Sequence, residues 1–525
     1  MNVCMIVHNS GTRDGRVMRE AHTLQAAGHQ VTIIGIPESS AHSSEERLAD
    51  GVRISRVEWY REARRRFRRS GIPRAALFAA VCARLAYGLY RLARAAIHQT
   101  IPLVQRVFPA LAASDLRQGV AIVAASSAVL TLWYAASATH KRSVRRSQNR
   151  ELMRRRMISI DSEHASNFPR IQTRIPHWIP DWVLEMGLEP LGWLGAKTAR
   201  FSFHRYRSEE LAAAAIRLKP DVVHCHDCLA LPTGWLVKKA LAIPLVYDAH
   251  EIYEAVASRR PGVTDYFGRV HEKYLPLLDG FIAVNDSAAN YYRYAYPGSP
   301  RAVVIRNAME RAELGRYDGR LHYAAGLPLG EKILIYQGGF SKLRGLETLV
   351  RAGALLPAGW SLVMMGSGAL EAELKLLAAA GAGGTVKFLP AVPQQDLLSW
   401  TQGATAGIVP YEDKVLNHWI ATPNKLWEYP NAGVPMIVQP FFEMRRIVET
   451  YGCGWPLPEQ FTPEGIANLV GSLTEGKLAV ARDGCRRFIA QDNWSSVYQP
   501  RLLQLYKDLE GRNQRRRQNP DAIFP

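Results

Sequence analysis

The chain has 525 residues, 47% of them apolar and 22% charged, and a formal net charge of +19. With that length and composition the chain can bury two sizeable cores, so two domains plus extra segments are expected. Six scattered cysteines (Cys4, Cys82, Cys225, Cys228, Cys453 and Cys485) exclude a disulfide scaffold and suit a reducing cytosol.

Short apolar runs rich in Val and Ile, separated by longer stretches of helical periodicity, predict parallel sheets covered on both faces. The first run, Val3 to Val7, is too short for a secretion signal and lacks its basic flank, so it reads as a strand. Further strands are expected at 30–36, 52–57, 221–225, 244–248, 280–284 and 302–305, and a second series at 332–337, 361–365, 385–389, 406–410 and 434–438. The fold class is therefore α/β, with two doubly wound Rossmann-like domains at 1–310 and 320–490 and a hinge within 307–330. A helix over about 494–510 follows, and the polar tail 513–525 is expected to be disordered.

Residues 60–205 exceed what a compact α/β unit needs and read as an insertion in the first domain. Within it, residues 61–160 hold 20 Arg and Lys against Glu62, Asp115 and Glu151, so this segment carries +17 of the chain's +19. Gly119 to Ala138 is twenty residues without a charge, long enough to span a bilayer. A lone crossing, however, would put strands of one sheet on opposite sides of the membrane. A second crossing at 75–97 would carry Arg84, Arg91 and Arg94 through hydrocarbon, at about 2.5–3.5 kcal/mol each. On a helix those arginines share one arc, opposite Leu77, Phe78, Val81, Leu85 and Leu89, which suits a membrane interface. Three readings stand: monotopic attachment, a spanning or re-entrant hairpin, and a soluble helical subdomain. The partner expected of this charge is an anionic membrane surface rather than nucleic acid, for which there is no recognisable module.

Chemistry-bearing residues gather where strands end. KILIYQ runs into GGFSKLRGLETLV, so Gly338 and Gly339 let backbone approach a phosphate, and Arg344 arrives at the head of the next helix. Gly366 and Gly368 follow the next strand; they suit the base side of the same site or simply a tight turn. In PNKLWEYPNAGVP, Pro423 suits the opening of a helix, with Asn424 and Lys425 in its first turn. Free N–H groups there suit a phosphate, while Glu428, a turn further in, suits a ribose diol. In the first half, LVYDAHEIYE places Asp248, His250 and Glu251 at the carboxyl edge of a strand, where open α/β sheets bind ligands.

HNSGTRDGRVMREA follows the first strand; Gly11 permits close approach there, and Asp14 and Arg16 lie at the mouth or cap the next helix. HCHDC at 224–228 tempts a zinc reading, with His224 and His226 on one strand face. No second cluster is spaced to complete four ligands, so no metal is expected, and Asp227 is assigned to the acceptor side. There is no D-x-D motif for a dedicated magnesium site.

In this order the motifs resemble those of the family-4 retaining glycosyltransferases of the GT-B fold, over residues 1–57 and roughly 207–510. The resemblance implies two domains facing across a cleft, with a C-terminal helix (491–512) returning to the first. It implies that Glu428 grips the ribose of a nucleotide sugar and that Arg344 holds the diphosphate and stabilises the leaving charge. Gly339 stands where many members carry a second basic residue, leaving Lys342 or Lys425 to substitute. His250 would face the transferred sugar.

The implied activity is sugar transfer from a UDP- or GDP-sugar to a lipid-linked or polysaccharide acceptor. It would take place at the cytoplasmic membrane face, with retention, with no cofactor, and on a peripheral or monotopic protein. One departure is plain: Ile420 stands eight positions before Glu428, where the family commonly has Glu, with Asn417, His418 and the N–H groups of 420–422 left near the sugar. Two rivals are a catalytically silent membrane scaffold and a nucleotide-sugar oxidoreductase, the second opposed by the lack of a dinucleotide fingerprint.

Overall fold

The computed structural model describes residues 1–12, 14–37, 43–58, 207–255, 261–381 and 385–518. Met1–Val57 and Leu211–Pro525 belong to one compact unit, which holds both sheets. The second unit, Glu58–Met153 with Trp178–Glu210, lies almost wholly outside the described residues. So do the insertion expected at 60–205 and the membrane contact expected of 61–160.

The first sheet contains β1 (Asn2–Ile6), β2 (Gln30–Gly35), β3 (Glu45–Arg47), β4 (Arg53–Arg56), β5 (Val222–His226), β6 (Leu245–Ala249), β7 (Gly280–Ala283) and β8 (Val303–Val304). Its order is β3-β4-β2-β1-β5-β6-β7-β8, parallel except for β3 against β4. The second contains β9 (Lys332–Gly339), β10 (Trp360–Ser367), β11 (Val386–Leu389), β12 (Ala406–Val409), β13 (Met436–Val438) and β14 (Gly454–Pro456), in the order β11-β10-β9-β12-β13-β14. Every strand expected from the sequence is present within a few residues. Continuous apolar runs suffice to find them because central strands here are buried on both faces, β5, β6 and β7 along their whole length.

The strand order reverses between β1 and β5 in the first sheet and between β9 and β12 in the second. Crevices at the carboxyl ends of such switch points are where these folds bind ligands. Two strands escaped the sequence reading, β3 and β14. Each is three residues at a sheet edge, and β3 (EER) is charged, as exposed edges usually are.

The C-terminal segment winds through a π-helical turn, Trp494–Tyr498, into the helix Gln499–Gln518. Leu502, Tyr506 and Leu509 are buried, and the Trp494 indole donates to Thr23 Oγ1 at 2.9 Å. Gly280 on β7 leaves room for Leu505. The helix thus closes on the first domain. It also runs through residues 513–518, which were expected as disordered tail, because no helix breaker occurs before Pro520.

Candidate functional site

A cavity of about 500 Å³ opens at the carboxyl ends of β9 and β10. Gly338, Gly339, Arg344, Gly366, Asn424, Lys425 and Glu428, the donor-side set expected from the sequence, all line it, together with Gln337, which was not expected. Arg344 is presented by a tight turn in which Leu343 (φ +66°) and Gly345 (φ +68°) flank it in the left-handed region. A Cβ on Gly345 would collide with the Pro410 carbonyl, and the non-glycine Leu343 carries backbone strain, the kind of cost that collects at functional sites. The Arg344 guanidinium lies 4.3 Å over the Tyr411 ring and makes no ion pair among the described residues.

The helix Lys425–Asn431 starts two residues after Pro423, with Asn424 at its N-cap. Lys425 has its ammonium 5.2 Å over the Tyr336 ring, against the face of Gly338, where a Cβ would crowd it. Burial first, and then the Arg344 charge, depress the Lys425 pKa to about 8. Lys342, the other candidate for a second cation, is exposed and does not line the cavity. Gly339 has open space where a side chain would begin, so no packing demand accounts for it. Gly366 and Gly368 are different: a Cβ on either would run into the backbone of Gly338 or Phe340, so close backbone packing requires both glycines, of which Gly366 lines the cavity.

Glu428 is 6% exposed, and its Oε2 accepts from Gln337 Nε2 at 2.8 Å. Neither Gln337 nor its partner Thr401 carries a signal in the sequence, because both partners are supplied by distant strands and helices.

At the switch point of the first sheet, Asp248 is fully buried at the end of β6 and takes a bidentate bond from Arg16, with Nε at 2.6 Å and Nη2 at 2.7 Å. Arg16 therefore points inward and braces the sheet instead of standing at the mouth. It reaches further to the Ile305 carbonyl at 2.8 Å. Asp14 caps the helix Gly15–Ala26, accepting from the Arg16 and Val17 amides. Gly11 turns with φ +81°, and a Cβ there would face Ile33 and Ile54, so its freedom serves the turn and the packing below it.

His250 has its Nε2 3.0 Å from Asp248 Oδ2 and its Nδ1 3.3 Å from Asp227 Oδ1. Burial works against the charged ring, but Asp227, Asp248 and Asp14 outweigh it and push its pKa up to about 10. With a carboxylate at each nitrogen, the ring is an imidazolium with both N–H groups engaged. Asp227 holds this contact from φ +70°, ψ 149°, a conformation costing a non-glycine residue about 1–3 kcal/mol.

Behind His250, His224 and His226 stack with ring centroids 4.3 Å apart, and His224 Nδ1 meets the Tyr506 hydroxyl at 2.9 Å. Glu20, His224, His226 and Asp248 bring potential ligand atoms within 4.8 Å of one another, a set that could hold a metal. Glu20 and Asp248 arrive from elements distant in sequence, which is why no spacing near HCHDC pointed to them. Cys225 faces away from it: a Cβ on Gly234 would collide with its sulfur. Arg16 already sits in this set, its Nε 3.4 Å from Glu20 Oε1, so a guanidinium supplies positive charge there. Burial and the Asp248 charge push the Glu20 carboxyl up to about 8.

The loop 417–422 of the second domain is tied to the first. Asn417 accepts from the Ile252 amide at 3.0 Å and donates to Glu251 at 3.2 Å. Asn285 donates to the Ile420 carbonyl at 2.7 Å, and Asn307 to the Thr422 carbonyl at 3.0 Å. Ile420 is buried and His418 Nδ1 bonds the Glu412 carbonyl. Both side-chain groups of Asn417 and the Nδ1 of His418, residues expected near the sugar, are engaged within the protein. The missing Glu coincides with a loop that holds the domains together.

Residues 169–313 match the description Glycosyltransferase Family 4, and residues 320–490 match Glycosyl transferases group 1, together more than half of the chain. D-inositol 3-phosphate glycosyltransferase 1 of Catenulispora acidiphila is 26% identical over 313 residues, covering 55% of this chain and 73% of that protein. The D-inositol 3-phosphate glycosyltransferase of Thermobispora bispora is 23% identical over 311 residues, covering 55% and 70%. Among solved structures, sucrose-phosphate synthase from Thermosynechococcus elongatus superposes with a TM-score of 0.61 at 15% identity, covering 97% of this chain and 99% of that one, which shows a shared fold. The chain belongs to the family-4 glycosyltransferases of the GT-B fold.

Proposed function

We propose that the enzyme transfers a hexose from a UDP- or GDP-sugar to a lipid-linked or polysaccharide acceptor at the cytoplasmic membrane face, with retention and without a metal or other cofactor. The observation that carries the reading is the pairing, in one cavity, of two cations without ion-pair partners among the described residues, Arg344 and Lys425, with the carboxylate of Glu428. A diphosphate satisfies the first two and a ribose diol the third. Arg344 neutralises charge on the phosphate as the sugar leaves. His250 has no free ring lone pair, so it serves as a fixed cation beside the acceptor, and the leaving phosphate takes the acceptor's proton.

Transfer assays with a panel of UDP-, GDP- and ADP-sugars and membrane lipid extract test the proposal. Turnover with at least one donor is expected. Nucleotide binding without turnover on any donor would instead support the silent scaffold, the reading that Ile420 favours.

Membrane attachment rests on the +17 of residues 61–160. Among the described residues no helix is long and apolar enough to cross a membrane. Charge reversal within 61–69 and 141–156 is expected to release the protein from anionic vesicles while nucleotide binding persists; unchanged vesicle binding would overturn the attachment.

The same cavity predicts a pH dependence. Lys425 loses its charge as pH rises through about 8, above the range where the nucleotide phosphates finish ionising, while His250 keeps its charge to about 10. Nucleoside diphosphate affinity is expected to weaken about tenfold between pH 7 and pH 9, the scale of one charge-assisted contact. Lys425→Arg should flatten that titration, as calorimetry across the range would show. A wild-type affinity that stays constant to pH 9 would remove Lys425 from the phosphate site.

A further inference from the structure

The helix that carries Glu428 is stitched to the sheet beneath it at two neighbouring points. Tyr429 drops its ring over Gly407, where any Cβ would strike it, and its hydroxyl lies 3.2 Å from the Ile335 carbonyl and 3.3 Å from that of Ile408. These contacts fix the backbone of the helix but leave the Glu428 side chain to be aimed by something else. Its only hydrogen-bond partner among the described residues is Gln337, at the end of β9, 2% exposed, with Nε2 2.8 Å from Glu428 Oε2.

The amide has one usable orientation. An ionised carboxylate can only accept, so the NH₂ group must face Glu428 and the carbonyl oxygen must face away. There it meets the Thr401 hydroxyl at 2.7 Å. Thr401 is fully buried and also lies 2.7 Å from the Leu397 carbonyl, so its single hydroxyl proton is shared between that carbonyl and Gln337 Oε1. Turning the amide over would set oxygen against carboxylate in a site with little water to screen it.

We propose that Gln337, oriented by Thr401, is the positioning residue that aims the Glu428 carboxylate into the cavity and so sets the enzyme's demand for a ribonucleotide diol. This rests on the reading of the cavity as the nucleotide site. Gln337 fixes one carboxylate oxygen and leaves the other for a ligand hydroxyl. The order of contacts is then Thr401 to Gln337 to Glu428 to ribose, with the first three set before ligand arrives.

The test uses the full chain and isothermal titration. Wild type is offered UDP, GDP and ADP, and whichever binds is compared with its 2′-deoxy and 3′-deoxy forms and with inorganic diphosphate. Wild type is expected to prefer the ribonucleotide over at least one deoxy form by about tenfold or more, the scale of a hydrogen bond to a charged group. Gln337→Met keeps the volume without polar atoms, and Gln337→Glu keeps the shape without the donor. Both are expected to bring the ribose preference to within about twofold of unity; inorganic diphosphate binds as before to Gln337→Met, whereas the added carboxylate of Gln337→Glu weakens it. Thr401→Val leaves Gln337 in place and should erode the preference partly, which gives a readout if the Gln337 variants fold poorly. An unchanged preference in Gln337→Met would overturn the proposal. So would an equal loss of all ligands, which would mark Gln337 as a support for the fold alone. Failure of wild type to bind any of the three nucleotides would overturn the nucleotide reading itself.

Discussion

Arg344→Ala is expected to lower turnover by about 10²–10³-fold, the range seen when one preorganised group stabilising developing negative charge is removed. The effect should fall chiefly on kcat, because in the proposed mechanism the charge that Arg344 meets grows as the sugar–phosphate bond breaks. Folding should be nearly untouched: the guanidinium rests on the Tyr411 ring and has no ion-pair partner among the described residues to leave stranded. Arg344→Lys should recover only part of the rate, since an ammonium keeps the charge but not the planar fork that spans two phosphate oxygens. Initial rates with the best donor of the panel measure both. An alanine variant within threefold of wild type, with its melting temperature unchanged, would remove Arg344 from the reacting site.

Asp248→Ala should produce the largest loss of stability, about 3–5 kcal/mol, as expected when one member of a buried ion pair is deleted. Asp248 is the shared counter-ion of Arg16 and His250, and both lose it at once. Arg16 would remain buried without its bidentate partner, and of the carboxylates left near it, Glu20 is pushed by burial toward its neutral form while Asp14 acts without a direct ion pair.

The pH dependence has a definite sign. His250 has its folded pKa raised above the unfolded value, so the stability it contributes is full below about pH 6.5 and is lost as pH rises to about 10. Asp248 is held well below the ordinary carboxylate range, with burial outweighed by Arg16 and His250. Its contribution is present above about pH 4 and is lost on acidification. The gap between wild type and Asp248→Asn should therefore be widest between about pH 4 and 6.5 and narrow toward pH 10. Denaturant unfolding of both proteins across that range would show it. A gap below about 1 kcal/mol near pH 6 would mean that the Arg16–Asp248 pair does not hold this domain.

Arg16 and Asp248 were both visible in the sequence at the ends of their elements, but their pairing was not. Arg16 stood in the loop after the first strand and read as a mouth or helix-capping residue. Its partner, Asp248, lies 232 positions away, and only the tertiary fold, which brings the start of the helix Gly15–Ala26 to the end of β6, turns the side chain inward. Asp227 and His250 were legible as strand-end residues because parallel sheets collect ligands at carboxyl ends. That the two form a charge clamp was not legible. It depends on β5 and β6 lying side by side in register, His226 opposite Asp248.

The donor side was read more completely because its signals are local. Glycines after a strand, a basic residue at a helix head and a carboxylate one turn inside a helix each act within a few residues of chain, and these came together in one cavity. Gly366 and Gly368 were left open between a ligand contact and a turn; the backbone that presses against both shows the packing demand. Lys425 and Lys342 could not be ranked from spacing, since the choice depends on which ammonium the fold turns toward Gly338.

The sequence by itself determined the alternation of buried strands and helices, the two-sheet architecture and the places where ligands would meet strand ends. Periodicity and apolar runs encode burial directly, so these features need no knowledge of distant partners. The tertiary structure alone decided the pairings: Arg16 with Asp248, Asp227 with His250, Gln337 with Glu428, and Asn285 with the carbonyl of Ile420. A buried charge or amide must find its partner wherever the folded chain brings one, and sequence distance says little about where that is.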